Sequence, residues 1–158
     1  MNAHEFVIPA IDGGTIALSE FKGKPVLLVN TASECGFTPQ YRDLEALWED
    51  LGEQGLVVLG IPSNDFGGQE PGDESEIKAF CEATYAVSFP MTAKQEVIGG
   101  NAHPLYRWIA DELGEDAAPK WNFHKYLIDG DGNLVGAWPS KVRPNDPELR
   151  GEIEKLLG

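Results

Sequence analysis

Cysteine is scarce in this sequence: it occurs twice in 158 residues, as Cys35 and Cys81. A pair this sparse is no disulfide scaffold, and in a reducing compartment both thiols are expected to be free or only transiently paired. A Cys-x-x-Cys pair is also missing, because Thr38 stands where its second cysteine would be. Histidine is nearly as rare, and His4, His103 and His124 have no metal-ligand spacing. Basic residues are outnumbered, 12 against 26 acidic ones, for a net charge of −14. That balance argues against nucleic acid or an anionic membrane as partner. No apolar run approaches the ~20 residues that span a bilayer. The N-terminus has no basic stretch followed by an apolar one, so no secretory leader is expected and the cytoplasm is the expected location.

Other absences remove specific chemistries. The glycine-rich loop at 67–72 lacks a Gly-Lys-Ser/Thr ending and is no phosphate loop. Asp129-Gly130-Asp131-Gly132-Asn133 has its glycines out of place for a calcium loop, and Ser140 occupies the position of the closing glutamate. No metal or cofactor is expected. There is no internal repeat and no linker, and residues 1–158 are read as one domain.

What is present is a strand–turn–helix unit. Val26-Leu27-Leu28-Val29 is short, apolar and β-branched, the pattern of a buried strand over about 26–31. Thr38-Pro39 is a helix-start pair, and Tyr41, Leu44, Leu47, Trp48 and Leu51 fall on one face of a helix over 39–51. Cys35 lies between them, near the positive end of a helix dipole, where a thiolate is favoured. On local grounds it is either a small buried hydrophobe or a nucleophile, and its neighbours Glu34 and Gly36 are not core residues.

The rest alternates. A hairpin is expected from residues 5–9 and 15–18 around Asp12-Gly13-Gly14. A second buried strand spans 56–61. Asp73 and Glu76 form a capping box for a helix over 74–85 with Ile77, Phe80, Cys81 and Thr84 on one face. A third helix covers 104–113, strands 125–128 and 134–138 form a second hairpin, and a last helix covers 147–157. The pattern is α/β with a mixed sheet. If the strands at 26–31 and 56–61 are parallel, the loops that follow them meet at one crevice. Gln69 sits in the second loop, and its amide could donate to a thiolate. Trp121 and Asn122, just before the strand at 125–128, offer further donors, although an indole is more often core packing. Periodicity alone makes Cys81 a buried apolar residue, and pairing with Cys35 would need the Cα atoms within ~7 Å.

Three segments together, 29–41 around Cys35, 62–72 around Gln69 and Trp121-Asn122-Phe123-His124-Lys125-Tyr126-Leu127, resemble the glutathione peroxidase family, as does Pro104-Leu105-Tyr106-Arg107-Trp108. The likeness covers nearly the whole chain, in order. It implies a thioredoxin-like fold, a mixed central sheet flanked by helices after an N-terminal β-hairpin. It also implies thiol-based reduction of hydrogen peroxide and organic or lipid hydroperoxides. On it, Cys35 takes the peroxidatic position and Gln69, Trp121 and Asn122 complete a catalytic tetrad. Cys81 matches the resolving cysteine of thioredoxin-dependent members, and thioredoxin rather than glutathione is the reductant expected of an acidic chain carrying it. Ser63 and Asp65 replace residues common in relatives, and sulfur stands in for selenium. The short Leu113–Trp121 connection implies a monomer with an open site. The same residues would serve a peroxide sensor that relays its disulfide to a partner protein. A thioredoxin-like binding module with two structural cysteines is a third possibility.

Overall fold

The computed structural model describes residues Met1–Gly158. A hairpin of β1 (Val7–Pro9) and antiparallel β2 (Thr15–Ala17) precedes the main sheet. That sheet contains β3 (Val26–Thr31), β4 (Val57–Pro62), β5 (Lys125–Ile128) and β6 (Leu134–Trp138), in the order β4-β3-β5-β6. β3 runs parallel to β4 and antiparallel to β5, and β5 is antiparallel to β6. The helices are α1 (Gln40–Leu51), α2 (Glu74–Tyr85), α3 (Pro104–Leu113) and α4 (Pro147–Leu157).

β3 and β4 are buried at every position, so their side chains feed two apolar layers by simple alternation. Leu27, Val29 and Val58 point to the layer formed by α1, α2 and α4, with Tyr41, Leu44, Ile77, Leu149 and Ile153. Val26, Leu28, Leu59 and Ile61 point to the other, with Ile8 of the hairpin and Leu105, Trp108 and Ile109 of α3. Helices on both faces of a mixed sheet give the thioredoxin-like arrangement that the resemblance implied.

Most boundaries fall where the sequence placed them. β4 includes Pro62, which an edge strand tolerates at its last position because no ladder donor is required there. The extended stretch 90–92 lies along its outer side, with Gly60 N–H donating to Pro90 at 3.1 Å and Thr92 N–H to Gly60 at 2.9 Å. β1 begins at Val7 because Asn2 and Glu5 cap a short 3-10 turn over Ala3–Glu5. α1 begins one residue late, with Pro39 at the cap. Thr84 is exposed rather than on the apolar face of α2, since the last turn of that helix packs through Tyr85, whose ring lies 5.6 Å from that of Tyr41. α2 ends at Ala86, a non-glycine residue in the left-handed region with φ of 53°. The Cys81 carbonyl accepts the Ala86 and Val87 N–H groups there.

Candidate active site

The chain leaves β3 at Thr31 and turns back into α1 through residues 32–39, and the threonine that looked like a helix cap builds this turn instead. The Thr38 hydroxyl accepts from the Cys35 N–H at 2.9 Å and donates to the Ala32 carbonyl at 2.8 Å. The Thr38 N–H closes the turn on the Cys35 carbonyl at 3.0 Å. This folds Cys35 so that its sulfur accepts the Phe37 N–H at 3.3 Å. The thiol is buried, with the residue 8% exposed.

Parallel pairing of β3 and β4 brings their following loops side by side. The Glu34 N–H donates to the Gln69 carbonyl at 3.0 Å, which links the residue before Cys35 to the second loop. Asp65 ties that loop down, its carboxylate accepting the Val97 N–H at 2.6 Å and the Ile98 N–H at 3.2 Å. The Gln69 side chain accepts from Asn122 Nδ2 at 2.9 Å. Asn122 is fully buried and its own Oδ1 has no partner. Trp121 is half-buried and touches the same loop: its ring lies 5.8 Å from that of Phe66, and a Cβ added at Gly67 would stand 3.1 Å from the indole.

The turn carrying Trp121 and Asn122 is held from β3 by Asn30. Its Nδ2 donates to the Trp121 carbonyl at 3.0 Å, and its Oδ1 accepts the His124 N–H at 3.1 Å. The Asn30 carbonyl accepts the Phe123 N–H at 2.6 Å. Between these clamps Phe123 is forced to φ of 64°, a region a bulky side chain rarely adopts. Its ring packs edge-on against Tyr41 at 5.3 Å, so packing and three hydrogen bonds hold a strained turn beside the cysteine. Sequence reasoning missed Asn30. It reads as an ordinary member of a buried strand, and its signal was only that an amide directly follows the apolar run Val26–Val29.

Thus three segments, the Cys35 turn, the Gln69 loop and the Trp121-Asn122 turn, are joined by hydrogen bonds near the end of β3. Cys81 lies in α2 in the same apolar layer as Cys35, 1% exposed, and both thiols are free. Burial pushes the Cys81 thiol up to about 11, with the Tyr41 hydroxyl beside it pulling down and the charge of Glu70 pushing up.

A cavity of about 400 Å³ opens next to this site, lined by Phe37, Trp121, Trp138 and Pro139, with Lys120 and Lys141 on it. His124 on its wall is pulled by burial down to about 4 and is neutral at pH 7. Behind it Lys125 is fully buried, donating to Gln40 Oε1 at 2.6 Å and to the Ser140 carbonyl at 3.0 Å.

The family profile described as "Glutathione peroxidase" matches residues 3–110. The chain belongs to the glutathione peroxidase family. It is 48% identical to "Hydroperoxy fatty acid reductase gpx1" of Synechocystis sp., over 96% of this chain and 94% of that one. It is 44% identical to "Glutathione peroxidase-like peroxiredoxin gpx1" of Schizosaccharomyces pombe, over 92% of each chain. Among solved structures, that of T. cruzi GPX1 superimposes with a TM-score of 0.80 at 33% identity, covering 100% of this chain and 97% of the other. As a member of this family the chain is a thiol peroxidase with a thioredoxin-like fold. No helix is long and apolar enough to cross a membrane.

Proposed function

We propose that this glutathione peroxidase family member reduces hydroperoxides through Cys35 and is recycled by thioredoxin, acting as a cytoplasmic monomer. The Cys35 thiolate attacks the terminal peroxide oxygen, the O–O bond breaks, and water or an alcohol departs while the sulfur becomes a sulfenic acid. Gln69, Trp121 and Asn122 donate hydrogen bonds to the charge that develops on sulfur and on the departing oxygen. Cys81 then attacks the sulfenic sulfur, giving a disulfide and water, and an external dithiol reduces the disulfide.

The observation that carries this reading is the convergence of the Cys35 turn, the Gln69 loop and the clamped Trp121-Asn122 turn through the hydrogen bonds at Glu34, Gln69 and Asn30. The apolar cavity beside Trp121 with Lys120 and Lys141 suits an acyl chain bearing a carboxylate, in keeping with the hydroperoxy fatty acid named for the Synechocystis relative. Ala117 and Lys120 of the short 114–120 connection stand on the wall of that cavity, and a short connection is in keeping with an open site.

The test is steady-state peroxide consumption with NADPH, thioredoxin and thioredoxin reductase, against glutathione and its reductase, across hydrogen peroxide and a fatty-acid hydroperoxide. Sustained turnover with thioredoxin, abolished in Cys35→Ser and limited to about one equivalent in Cys81→Ser, is the expected result. No turnover with either reductant, or full activity in Cys35→Ser, overturns the proposal.

A further inference from the structure

A second group of polar side chains, none of them on the wall of the Trp121 cavity, lies inside the protein. Thr31 Oγ1, Ser33 Oγ, Tyr41 Oη and Glu70 Oε2 are all buried without a hydrogen-bond partner. Buried oxygens of this kind are normally satisfied, and four of them, at the end of β3 (Thr31), in the two loops (Ser33, Glu70) and at the start of α1 (Tyr41), call for an explanation. Glu70 is the most unusual of them, a carboxyl on a residue only 1% exposed. Its backbone is pinned: the N–H donates to Asn64 Oδ1 at 2.9 Å and the carbonyl accepts from Lys94 Nζ at 3.1 Å. The side chain lines a cavity of about 260 Å³ whose other walls include Ser33 and Glu34 of the Cys35 loop and Glu76, Ile77 and Phe80 of α2.

That cavity lies between the loop of Cys35 and the helix of Cys81. Cys81 follows Ile77 by one helical turn on the same buried face. Glu70 stands on the wall between the Cys35 loop and α2, near enough to Cys81 for its charge to act on the thiol. The resolving thiol needs a base. Burial in α2 pushes its pKa up to about 11, so the resting Cys81 is a protonated thiol at pH 7. Burial raises the Glu70 carboxyl as well, with Ser33 beside it and Lys94 opposing and Glu34 adding to the rise, which makes it a stronger base than an exposed carboxylate. Other titratable groups face this region, but Glu34, Glu76 and Glu82 are exposed, and burial holds the Tyr41 hydroxyl neutral by raising its pKa well above the ordinary value.

We propose that Glu70 is the proton acceptor of the resolving step. The inference rests on the reading that Cys81 resolves Cys35. The Cys81 S–H proton passes to Glu70 Oε2 as the new S–S bond forms. The Cys35 S–O bond breaks, and the proton returns from Glu70 to the departing oxygen, which leaves as water. The sulfenic sulfur is reduced, the Cys81 sulfur is oxidised, and no further oxidant is required.

The test follows a single turnover after one equivalent of hydrogen peroxide. Dimedone adducts report the Cys35 sulfenic acid, and non-reducing peptide mass analysis reports the Cys35–Cys81 disulfide. In Glu70→Gln the sulfenic acid forms at the wild-type rate, whereas the disulfide forms about a hundredfold more slowly. Its rate then climbs about tenfold per pH unit between pH 7 and 9 as the thiol ionises, while the wild-type rate stays flat. Glu70→Asp keeps a base, so its resolution is slowed yet flat with pH, a result that a purely structural role would not give. Equal disulfide rates and profiles in wild type and Glu70→Gln, or a steep profile in Glu70→Asp, overturn the role of Glu70 alone. A wild-type protein that forms no Cys35–Cys81 disulfide overturns the resolving role of Cys81 itself.

Discussion

Asn122 donates to the side-chain oxygen of Gln69 at 2.9 Å and thereby aims the two amides as a unit. With Oε1 engaged, the Gln69 amino group is the end left to face a substrate. Either Asn122→Ala or Gln69→Ala is expected to lower the second-order rate with peroxide by about a hundredfold, the scale seen when a preorganised donor is removed. The double variant is expected to lose little more, because each single change already disorients the other amide. Stopped-flow oxidation of the reduced protein measures all three, and fully additive losses would show that the two side chains act separately.

Asn30 holds the Trp121–His124 turn by three hydrogen bonds, two of them through its side chain. Asn30→Ala leaves the Trp121 carbonyl and the His124 N–H unpaired in the interior, at a cost of about 1–3 kcal/mol for each buried group. It also frees Phe123 to leave its left-handed conformation. A fall in urea midpoint together with a fall in peroxide rate is expected. A variant that loses stability but keeps the wild-type rate would mean that the clamp does not position Trp121 and Asn122.

Thr38→Val removes the hydroxyl that joins the Cys35 N–H to the Ala32 carbonyl. Two buried backbone groups lose their partner, which again costs about 1–3 kcal/mol each. The sulfur is then no longer held against the Phe37 N–H, so its oxidation slows. Thr38→Ser retains the hydroxyl and is expected to behave as wild type in both respects. Equal behaviour of the two variants in urea melts and in sulfenic acid formation would refute this.

Lys125 gives a pH signature. Burial lowers it from 10.5 to about 7, with Asp43 opposing. Between those values the unfolded chain carries a proton that the folded chain lacks, so stability rises with pH; below about 7 both states are protonated and the penalty is complete. The Cys81 thiol contributes the opposite slope, since its folded value of about 11 lies above the ordinary 9.0 and stability is lost as pH rises past that point. The lysine effect is therefore clean from pH 7 to 9. The urea midpoint of the wild type is expected to rise across that window and that of Lys125→Met to stay level. A flat wild-type response would contradict the shift.

The elements were legible where local chemistry sets them. Asp73 and Glu76 marked the start of α2, and the apolar alternation of β3 and β4 marked two strands buried on both faces. The convergence of the Cys35 and Gln69 loops followed from one condition, parallel pairing, which holds. What could not be read was anything decided by contacts between distant segments. Thr38 carries every mark of a helix cap, yet its hydroxyl serves the preceding turn, because the Cys35 N–H takes the oxygen that the free N–H groups of α1 would otherwise use, while its own proton goes to the Ala32 carbonyl. Nothing local marks Lys125 as buried, but β5 is an interior strand of the sheet and the Gln40 side-chain oxygen accepts from its Nζ. Glu70 passed as part of a polar loop, since nothing local indicates that Lys94 pulls that loop inward.

The end of α2 has a consequence for observing the protein at work. The Cys81 carbonyl receives the Ala86 and Val87 N–H groups and so fastens the helix terminus to the residue that carries the thiol. A Cys81 that leaves its turn to join Cys35 takes that carbonyl with it and strands the Val87 N–H, while the Ala86 N–H keeps the Glu82 carbonyl at 3.2 Å. Ala86, held at positive φ only while the terminus is intact, then relaxes to ordinary backbone. Deuterium uptake at the Val87 amide is therefore expected to act as a clock for that pairing, slow when the thiols are apart and fast if they join, readable without any label on sulfur.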